Sequence, residues 1–298
     1  MRVTWLPDAE KRPGRRIAVG EFDGVHLGHR VVIGDADTVL TFDPHPRAVV
    51  SPDAAPKLIT PLAVKADIIS GLGVHELVVI PFDGAFASQS AQEFVDDVLV
   101  SGLGASEVRV GENFRFGHRA LGDVDLLRAD GRFTTSVAEM VEVDGEIVSS
   151  THIRGLVVAG EVETAARFLG LPFHLRGIVQ HGDKRGRTLG FPTANLVPDN
   201  ALCYPGNGIY ACRAALQRDD GEWDWWPAAV SIGVRPTFVT GRGVLIEAYL
   251  IGYDGDCYDA ELRLAFVERI RGEKRFESAE ALVAQMHADT ERALQVAG

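Results

Sequence analysis

A glycine- and histidine-rich segment near the start of the chain has the residue types that bind phosphate. Residues 20–29 read GEFDGVHLGH and follow a short apolar run, Ile17–Val19, that predicts a strand. Glycine lets a backbone turn tightly against a ligand, and a helix that begins here would present free N–H groups to an anion. His26 and His29 are three residues apart, so a helix places them on one face, where both could donate hydrogen bonds to phosphate oxygens.

Two other interpretations of this segment are a structural turn with two surface histidines and a pair of metal ligands. A metal site needs further ligands. The nearest histidine in the sequence, His45, stands between Pro44 and Pro46, in a rigid loop that suits the shaping of a pocket better than metal binding. The residues therefore favour phosphate contact over a metal site.

A second candidate segment, residues 181–195, reads HGDKRGRTLGFPTAN and holds the densest basic patch of the chain. Its glycines and its three cations, Lys184, Arg185 and Arg187, could cradle phosphate. Thr193 and Asn195 are two residues apart, so on an extended segment they face the same side, and both offer the neutral oxygen ligands that a phosphate-bound Mg²⁺ accepts. Composition alone favours a simpler interpretation, an exposed polar loop followed by a turn.

The elements around the first segment predict a parallel α/β sheet. Short apolar runs alternate with helical patterns, which is typical of a parallel sheet covered by helices on both faces. The helix over Pro61–Leu72 has Thr60 as its cap, and the helix over Ser90–Val100 has capping-box spacing from Ser90 to Glu93. The predicted strands are Ile17–Val19, Val39–Phe42, Leu77–Ile80 and Val108–Val110, and one or two short helices over Ile153–Leu169 close the unit before Gly170.

After Pro172 the pattern changes to alternating runs separated by turn residues, which favours an antiparallel barrel or sandwich. A final helix has Ser278 as its cap and an apolar face. The predicted strands are Gly177–His181, Gly208–Ala215, Ala228–Gly233, Val244–Ile251 and Glu261–Arg269.

Composition limits the classes of function. The chain has 298 residues and a formal net charge of −12, which suggests about two domains and argues against a nucleic-acid surface. No apolar run approaches the ~18 residues of a membrane helix, and the polar N-terminus lacks the core of a signal peptide, so we expect a cytoplasmic protein. The odd number of cysteines, without CxxC spacing, predicts neither a disulfide framework nor a zinc ribbon.

Several motifs, in order along the chain, resemble those of the bacterial bifunctional riboflavin kinase/FAD synthetase family. They are GEFDGVHLGH at 20–29, TFDPHP at 41–46, VGENFRFGHR at 110–119, SSTHIR at 149–154, GRTLGFPTAN at 186–195, PGNGIYA at 205–211, SIGVRPTF at 231–238 and RIRGEKRFES at 269–278. The resemblance implies a Rossmann-like nucleotidyltransferase domain over 1–172, which joins FMN to the AMP part of ATP. It also implies a riboflavin kinase domain over 173–298, a small antiparallel β-barrel with a terminal helix, which makes FMN from riboflavin and MgATP.

In the first domain the resemblance implies that His26 and His29 are catalytic and meet the ATP phosphates, and that Asn113 helps to bind nucleotide or flavin. Ser150, Thr151 and Arg154 would hold the triphosphate, since hydroxyls at a helix start bind anions and arginine binds phosphate with two hydrogen bonds. Taken alone, that motif favours a simple helix cap with an ordinary surface arginine. The implied nucleotide-binding set is completed by Gly20, Phe22, Asp23, Gly24 and Gly28.

In the second domain the resemblance implies that Thr193 and Asn195 bind Mg²⁺ and that Glu247 is the catalytic base. Glu247 interrupts an apolar strand, so we expect an inward carboxylate with a functional reason to be there; strand alternation that turns it to solvent is the simpler alternative. The segment Trp223–Trp226 is expected in barrel packing or at a hairpin edge, outside the site. The implied nucleotide-binding residues are Gly182, Lys184, Arg187 and Gly190.

The chain departs from the family at two places. Only 11 residues separate His29 from Thr41, fewer than a parallel crossover usually needs, so the first helix is predicted to be truncated or irregular. This leaves a monofunctional riboflavin kinase as an alternative, with a non-catalytic flavin or nucleotide sensor as a third. The family usually has Tyr-Gly where this chain has Tyr258-Asp259, which predicts a local change in a late loop. The expected partners are ATP, riboflavin and FMN, without nucleic acid or membrane, and weak self-association stays open.

Overall fold

The computed structural model describes residues 1–181, 190–197, 199–218, 220–234 and 244–298. Three of the predicted nucleotide-binding residues, Gly182, Lys184 and Arg187, lie outside the described residues. The chain divides into two compact units, Met1–Ser150 and Thr151–Gly298.

The first unit is built on a six-stranded sheet with the strand order β1-β4-β3-β2-β5-β6. All neighbouring strands run parallel, as the strand–helix alternation predicts. The four predicted strands are confirmed, and two more lie at the sheet edges. The bounds are β1 Arg2–Trp5, β2 Arg15–Val19, β3 Thr38–Asp43, β4 Glu76–Pro81, β5 Ala105–Gly111 and β6 Thr134–Ala138, followed by a small hairpin of β7 Glu142–Val143 and β8 Glu146–Ile147.

The helices of this unit are short. Ser90 and Glu93 form the predicted capping box. The predicted cap at Thr60 is wrong: Pro61 precedes the helix, and Thr60 instead hydrogen-bonds to the loop after β2. The bounds are α1 Leu27–Ile33, α2 Pro46–Val50, α3 Leu62–Ser70, α4 Gly84–Ala87, α5 Ala91–Glu93, which continues as a π-helix over Phe94–Leu103, and α6 Val124–Ala129.

The sheet buries apolar side chains on both faces. Successive residues of β2 belong to opposite sides: Ile17 packs in a cluster with residues of the π-helix, and Ala18 packs in a cluster with Ile33 of α1 and Ile69 of α3. This two-sided burial fixes the C-terminal end of β2, from which the first candidate segment begins.

The second unit contains two helices, a closed barrel and a terminal helix. The helices are α7 Ser150–Ala159, which starts at the last residue of the first unit, and α8 Val162–Leu169. Helix α8 packs against barrel strands, and both helices belong to this unit, whereas the sequence pattern changes only at Pro172. The terminal helix α9, Ala279–Ala297, has the predicted Ser278 cap.

The barrel has six antiparallel strands in the closed order β10-β13-β12-β11-β14-β9. It confirms the five predicted strands and resolves the choice between barrel and sandwich. The bounds are β9 Phe173–Gln180, β10 Ala194–Leu196, β11 Gly208–Gln217, β12 Trp223–Val234, β13 Val244–Leu250 and β14 Glu261–Arg271.

The tryptophan-rich segment packs in the hairpin of β11 and β12, as expected. Trp223 pairs with Gln217 at the turn end of this hairpin, and the guanidinium of Arg263 lies 3.5 Å from the centroid of its ring. All three cysteines of the unit, Cys203, Cys212 and Cys257, are free thiols.

Candidate functional site

The loop between β2 and α1 has the tight backbone that its glycines predict. Phe22 and Val25 have φ angles of 49° and 42°, and Gly24 has a φ of 94°. The first two are left-handed conformations of residues that rarely adopt them. Such strain persists only where the surroundings over-determine the backbone, and it is frequent at functional sites.

Side chains from other segments hold this loop in place. One carboxylate oxygen of Asp23 accepts hydrogen bonds from the backbone N–H groups of Ile59 at 2.9 Å and Thr60 at 3.0 Å. The Thr60 hydroxyl accepts from the N–H of Gly24 at 2.8 Å, and the Ser150 hydroxyl donates to the carbonyl of Asp23 at 2.8 Å. Asp23 is buried, so its carboxylate orders the backbone of the loop.

The two predicted glycines at the ends of the loop leave room for neighbouring rings. A Cβ at Gly20 would lie 3.0 Å from the ring of Phe22, and a Cβ at Gly28 would lie 3.3 Å from the ring of His26. Phe22 is buried and touches the ring of His29 edge-on, with centroids 5.3 Å apart. These residues therefore set the positions of the two histidine rings.

His26 and His29 lie together at the start of α1, as their spacing predicts. Their rings stack with centroids 3.5 Å apart and an interplanar angle of 17°. His26 is the cap residue of α1, and its Nδ1 accepts a hydrogen bond from the backbone N–H of His29 at 3.2 Å. A neutral imidazole whose Nδ1 accepts carries its proton on Nε2, so the Nε2–H of His26 is a donor.

Burial keeps both histidines neutral at pH 7. Desolvation lowers the pKa of His26 to about 4. It also lowers the pKa of His29 well below its ordinary value, and the neighbouring His26 and Lys65 add to this effect. The pair therefore brings N–H donors to a helix start and no positive charge, so phosphate contact at this point would rest on hydrogen bonding.

The predicted truncation of the first helix is confirmed, because α1 has only seven residues. It ends at Gly34, which has a φ of 49°, and Arg109 of β5 closes its C-terminus. The Arg109 guanidinium donates to the carbonyl of Val32 at 3.2 Å and to the carboxylate of Asp35 at 2.8 Å. A cation at this position also complements the helix dipole. Arg109 therefore stabilises the end of a helix that is too short to be held by its own turns.

The other predicted residues of the first site lie on α7 and in the turn that follows β5. Ser150 begins α7 and is bonded to the loop through Asp23. Thr151 is exposed and Arg154 is half-buried, both on α7. Asn113 is exposed in the turn that follows β5. Within the first unit, hydrogen bonds and ring stacking join the loop, the two histidines and Ser150.

Sequence reasoning missed Glu21 and Lys65 beside this loop, and His45, expected to shape a pocket, contacts Glu21. The imidazole Nε2 of His45 lies 2.8 Å from the carboxylate of Glu21, and the ammonium of Lys65 donates to the carbonyl of Glu21 at 2.6 Å. Lys65 is on α3, between the buried residues Val64 and Ile69. A lysine that stands between the apolar residues Val64 and Ala66 of this helix was the signal that could have identified it.

In the barrel, Asn195 of β10 and Glu247 of β13 lie directly opposite each other. Thr193 is next to the start of β10, and its carbonyl accepts a long hydrogen bond of 3.4 Å from Nδ2 of Asn195. The Oδ1 atom of Asn195 is buried and has no hydrogen-bond partner within the described part of the chain. A buried amide oxygen left without a partner costs free energy, and Mg²⁺ accepts such neutral oxygens as ligands, so these residues fit the ion.

Glu247 does not point into the barrel interior. Strand β13 buries Ile246, Ala248 and Leu250, and Glu247 lies on the opposite face, half-buried. The expectation of an inward carboxylate is therefore wrong, because the alternation of the strand places its neighbours inside instead. The simpler alternative, a Glu247 side chain fully exposed to solvent, is also wrong, because the residue is half-buried. The residues paired with Glu247 across the sheet are the polar Asn195 and Ser231.

Two features flank the glycine-rich segment of the barrel unit. Gly190, which has a φ of 88°, is the described glycine of the predicted nucleotide-binding set. On the N-terminal side of the segment, the centroid of the His181 ring lies 3.9 Å from that of Tyr258.

The departure from the family pattern at Asp259 falls on a backbone conformation that favours glycine. Asp259 has a φ of 61°, in the left-handed region.

The described ranges hold neither a preformed metal cluster nor a membrane helix. No group of three or more His, Cys, Asp or Glu side chains in them could hold a metal ion. No helix in those same parts of the chain is long and apolar enough to cross a membrane.

Comparison with known proteins covers both units. The family model for FAD synthetase matches residues 8–152, and the family model for riboflavin kinase matches residues 169–297. A relative from Pseudomonas fluorescens, named bifunctional riboflavin kinase/FMN adenylyltransferase, is 38% identical over 94% of this chain and 92% of its own. A relative of the same name from Bacillus subtilis is 36% identical over 94% of this chain and 91% of its own.

A solved structure shares the complete fold. It is described as a macrolide-efflux protein from Streptococcus pneumoniae, is 29% identical, and superposes with a TM-score of 0.86 over 99% of both chains. That description differs from the name of the curated relatives, so its contribution is the fold. Both family models and relatives that align with 94% of the chain agree with each other. The chain belongs to the family of bifunctional riboflavin kinase/FMN adenylyltransferases.

Proposed function

We propose that the chain catalyses two successive reactions: phosphorylation of riboflavin to FMN with MgATP in the barrel unit, and transfer of AMP from ATP to FMN in the first unit. The observation that carries the proposal is the presence of two separate clusters of polar residues in one chain. Asn195 faces Glu247 in the barrel, and two neutral histidines begin α1 in the first unit. The names of the curated relatives describe the same pair of activities.

In the kinase reaction, the ribityl 5′-hydroxyl of riboflavin attacks the γ-phosphorus of ATP, and ADP leaves. Glu247 accepts the hydroxyl proton as the new oxygen–phosphorus bond forms. Its place on the outer face of β13 suits this role, because the barrel interior is filled by apolar side chains. Thr193 and Asn195 would hold Mg²⁺, which when bound neutralises charge on the ATP phosphates.

In the adenylyl transfer, a phosphate oxygen of FMN attacks the α-phosphorus of ATP, and pyrophosphate leaves with the electron pair of the broken bond. The attacking oxygen is already an anion, so no base is needed. His26 donates a hydrogen bond from Nε2 as negative charge builds on the phosphate oxygens, and the stacked His29 offers a second donor. The roles of Asn113, Thr151 and Arg154 remain predictions from the resemblance.

The first test is a product assay. Purified protein is incubated with riboflavin and MgATP, and the flavins are separated by chromatography. FMN followed by FAD is the expected result. A second candidate, riboflavin kinase alone, is favoured by the short α1, and FMN without FAD would establish it. Failure to form either product would favour the non-catalytic sensor.

The second test separates the two sites. Glu247→Gln removes the base but keeps the shape of the side chain, so FMN formation should fall by roughly 10²- to 10⁴-fold. Conversion of added FMN to FAD should be unchanged. Glu222→Gln, at an exposed glutamate of the same unit, serves as the control and should leave both rates intact. Equal losses of both activities in Glu247→Gln would contradict the division of the reactions between the units.

We infer further that the protein works in the cytoplasm on small molecules and binds neither nucleic acid nor membrane. The net charge of −12 supports this inference, because a nucleic-acid surface or an anionic membrane attracts basic proteins. Retention on a heparin column at low salt would contradict it.

A further inference from the structure

The buried lysine Lys65 lies next to the loop that precedes the two histidines, and it has no role in either proposed reaction as described above. Lys65 of α3 is 7% exposed. Its ammonium group donates to the carbonyl of Glu21 at 2.6 Å and to the hydroxyl of Thr41 at 3.2 Å. The Thr41 hydroxyl donates to the same carbonyl at 3.1 Å. Two side chains from different elements thus converge on one backbone oxygen of the loop.

This burial is expensive, and packing alone does not require it. The hydrogen-bond acceptors of Lys65 are neutral oxygens, and burial lowers its pKa although Asp23, Asp43 and Glu21 act in the opposite direction. Methionine has a side chain of similar length without the desolvation cost. A charged group in this position therefore points to a use for the charge.

The position of the lysine suggests that use. The carbonyl it holds belongs to the residue before Phe22, where the left-handed backbone of the loop begins. Lys65 also interacts electrostatically with His29. Its charge also offsets part of the negative charge of Glu21, Asp23 and Asp43, which would otherwise repel a polyphosphate ligand more strongly.

We propose that Lys65 is a positioning residue for adenylyl transfer: it fixes the carbonyl of Glu21, and it supplies the positive charge that the histidine pair lacks. The proposal rests on the proposed adenylyl transfer activity of the first unit. Lys65 acts through the loop and its field, and need not touch the reacting phosphorus.

The test is Lys65→Met. We expect kcat/KM for FAD formation from FMN to fall by about 100-fold or more, the scale measured when one preorganised donor is removed. Calorimetry with magnesium pyrophosphate should show at least roughly tenfold weaker binding, because the positive field at the loop is lost. FMN formation from riboflavin should be unchanged. Lys11→Met, at an exposed lysine of the same unit, is the matched control and should alter neither quantity.

The melting temperature separates positioning from simple structural support. Removal of a buried ammonium relieves its desolvation, so the Tm of Lys65→Met should not decrease. A lower Tm with a proportional loss of FAD formation would assign Lys65 a structural role and overturn the proposal. Unchanged FAD formation would overturn it too, while leaving the proposed function intact. If the unsubstituted chain forms no FAD, both fail together.

A second variant covers the case in which Lys65→Met does not fold. Thr41→Val removes the other donor to the Glu21 carbonyl and one of the two acceptors of Lys65, and it keeps the lysine charge. We expect FAD formation to fall by only about threefold to tenfold, in line with the loss of one neutral hydrogen bond, and pyrophosphate binding to be unchanged. A loss of pyrophosphate binding in Thr41→Val would contradict the assignment of the charge effect to Lys65.

Discussion

The buried histidine pair couples the first site to acid stability. The pKa of His26 is about 4 in the folded chain, against 6.5 for an ordinary histidine. Between these pH values the unfolded chain binds a proton that the folded chain does not. Folding is therefore penalised progressively as the pH falls from about 6.5 towards 4, and the penalty is absent above that range.

We expect His26 to lower the free energy of unfolding by roughly 2 kcal/mol between pH 7 and pH 4.5. His26→Gln cannot take up a proton, so its stability should decline less over the same interval. Urea unfolding at the two pH values measures the difference. Identical pH dependence in both chains would show that His26 titrates normally in the folded state.

Residue types and spacing predicted part of the candidate site, and side-chain direction was the part they left open. The spacing of His26 and His29 was sufficient to place their rings together, because one helical turn fixes the relation. An apolar run does not reveal which alternate residues face a barrel interior, so the predicted inward direction of the Glu247 side chain was wrong. Lys65 was missed because a single lysine in a helix usually marks its solvated face.

The short helix α1 depends on one residue of the neighbouring strand. Gly34 at its end has a φ of 49°, and an added Cβ would lie 2.5 Å from Nη2 of Arg109. Gly34→Ala should therefore cost about 2 kcal/mol, the sum of left-handed strain and weakened contacts of Arg109. FAD formation should fall with it, because the histidines begin this helix.

Gly73→Ala is a matched control for the backbone effect. Gly73 has a φ of 82°, and no atom lies within 4 Å of the position that an added Cβ would take. The Gly73→Ala variant should lose only about 1 kcal/mol of stability and keep its rate of FAD formation. Urea unfolding and the flavin assay measure both variants. Equal stability losses for Gly34→Ala and Gly73→Ala would show that the guanidinium of Arg109 moves away from the added methyl group without a cost in free energy.

Elements with buried apolar runs were predictable from the sequence, and exposed ones were not. The central strands β2 to β5 each contain buried apolar residues because helices cover both faces of the sheet. The edge strand β1 is largely exposed and β6 is rich in threonine and serine, so neither carries a hydrophobic pattern. The three-residue strand β10, which contains Asn195, is too short to show the two-residue hydrophobic alternation of a strand.

The division into two compact units predicts that the two reactions are separable between molecules. His29→Asn should form FMN but no FAD, and Glu247→Gln should form neither from riboflavin. A mixture of the two variants should convert riboflavin to FAD, because FMN released by the first is a substrate for the second. The flavin assay on each variant and on the mixture measures this.

A mixture that stops at FMN would contradict separability, provided that Glu247→Gln alone converts added FMN. In that case FMN would pass between the sites of one chain without release. Addition of unlabelled FMN to a reaction with labelled riboflavin checks the same point, since a released intermediate would be diluted before it enters FAD.

The two units also differ in how their sheets end. The barrel closes on itself, whereas the sheet of the first unit, among the described residues, ends at two edge strands, β1 and β6. The backbone N–H and C=O groups of an edge strand can pair with another molecule. In β1 the apolar residues Val3 and Trp5 are also 48% and 41% exposed. Partial unfolding that exposes more of such an edge promotes aggregation. Ageing or heated preparations should therefore lose FAD synthesis before FMN synthesis, and accumulate the intermediate in place of the final cofactor.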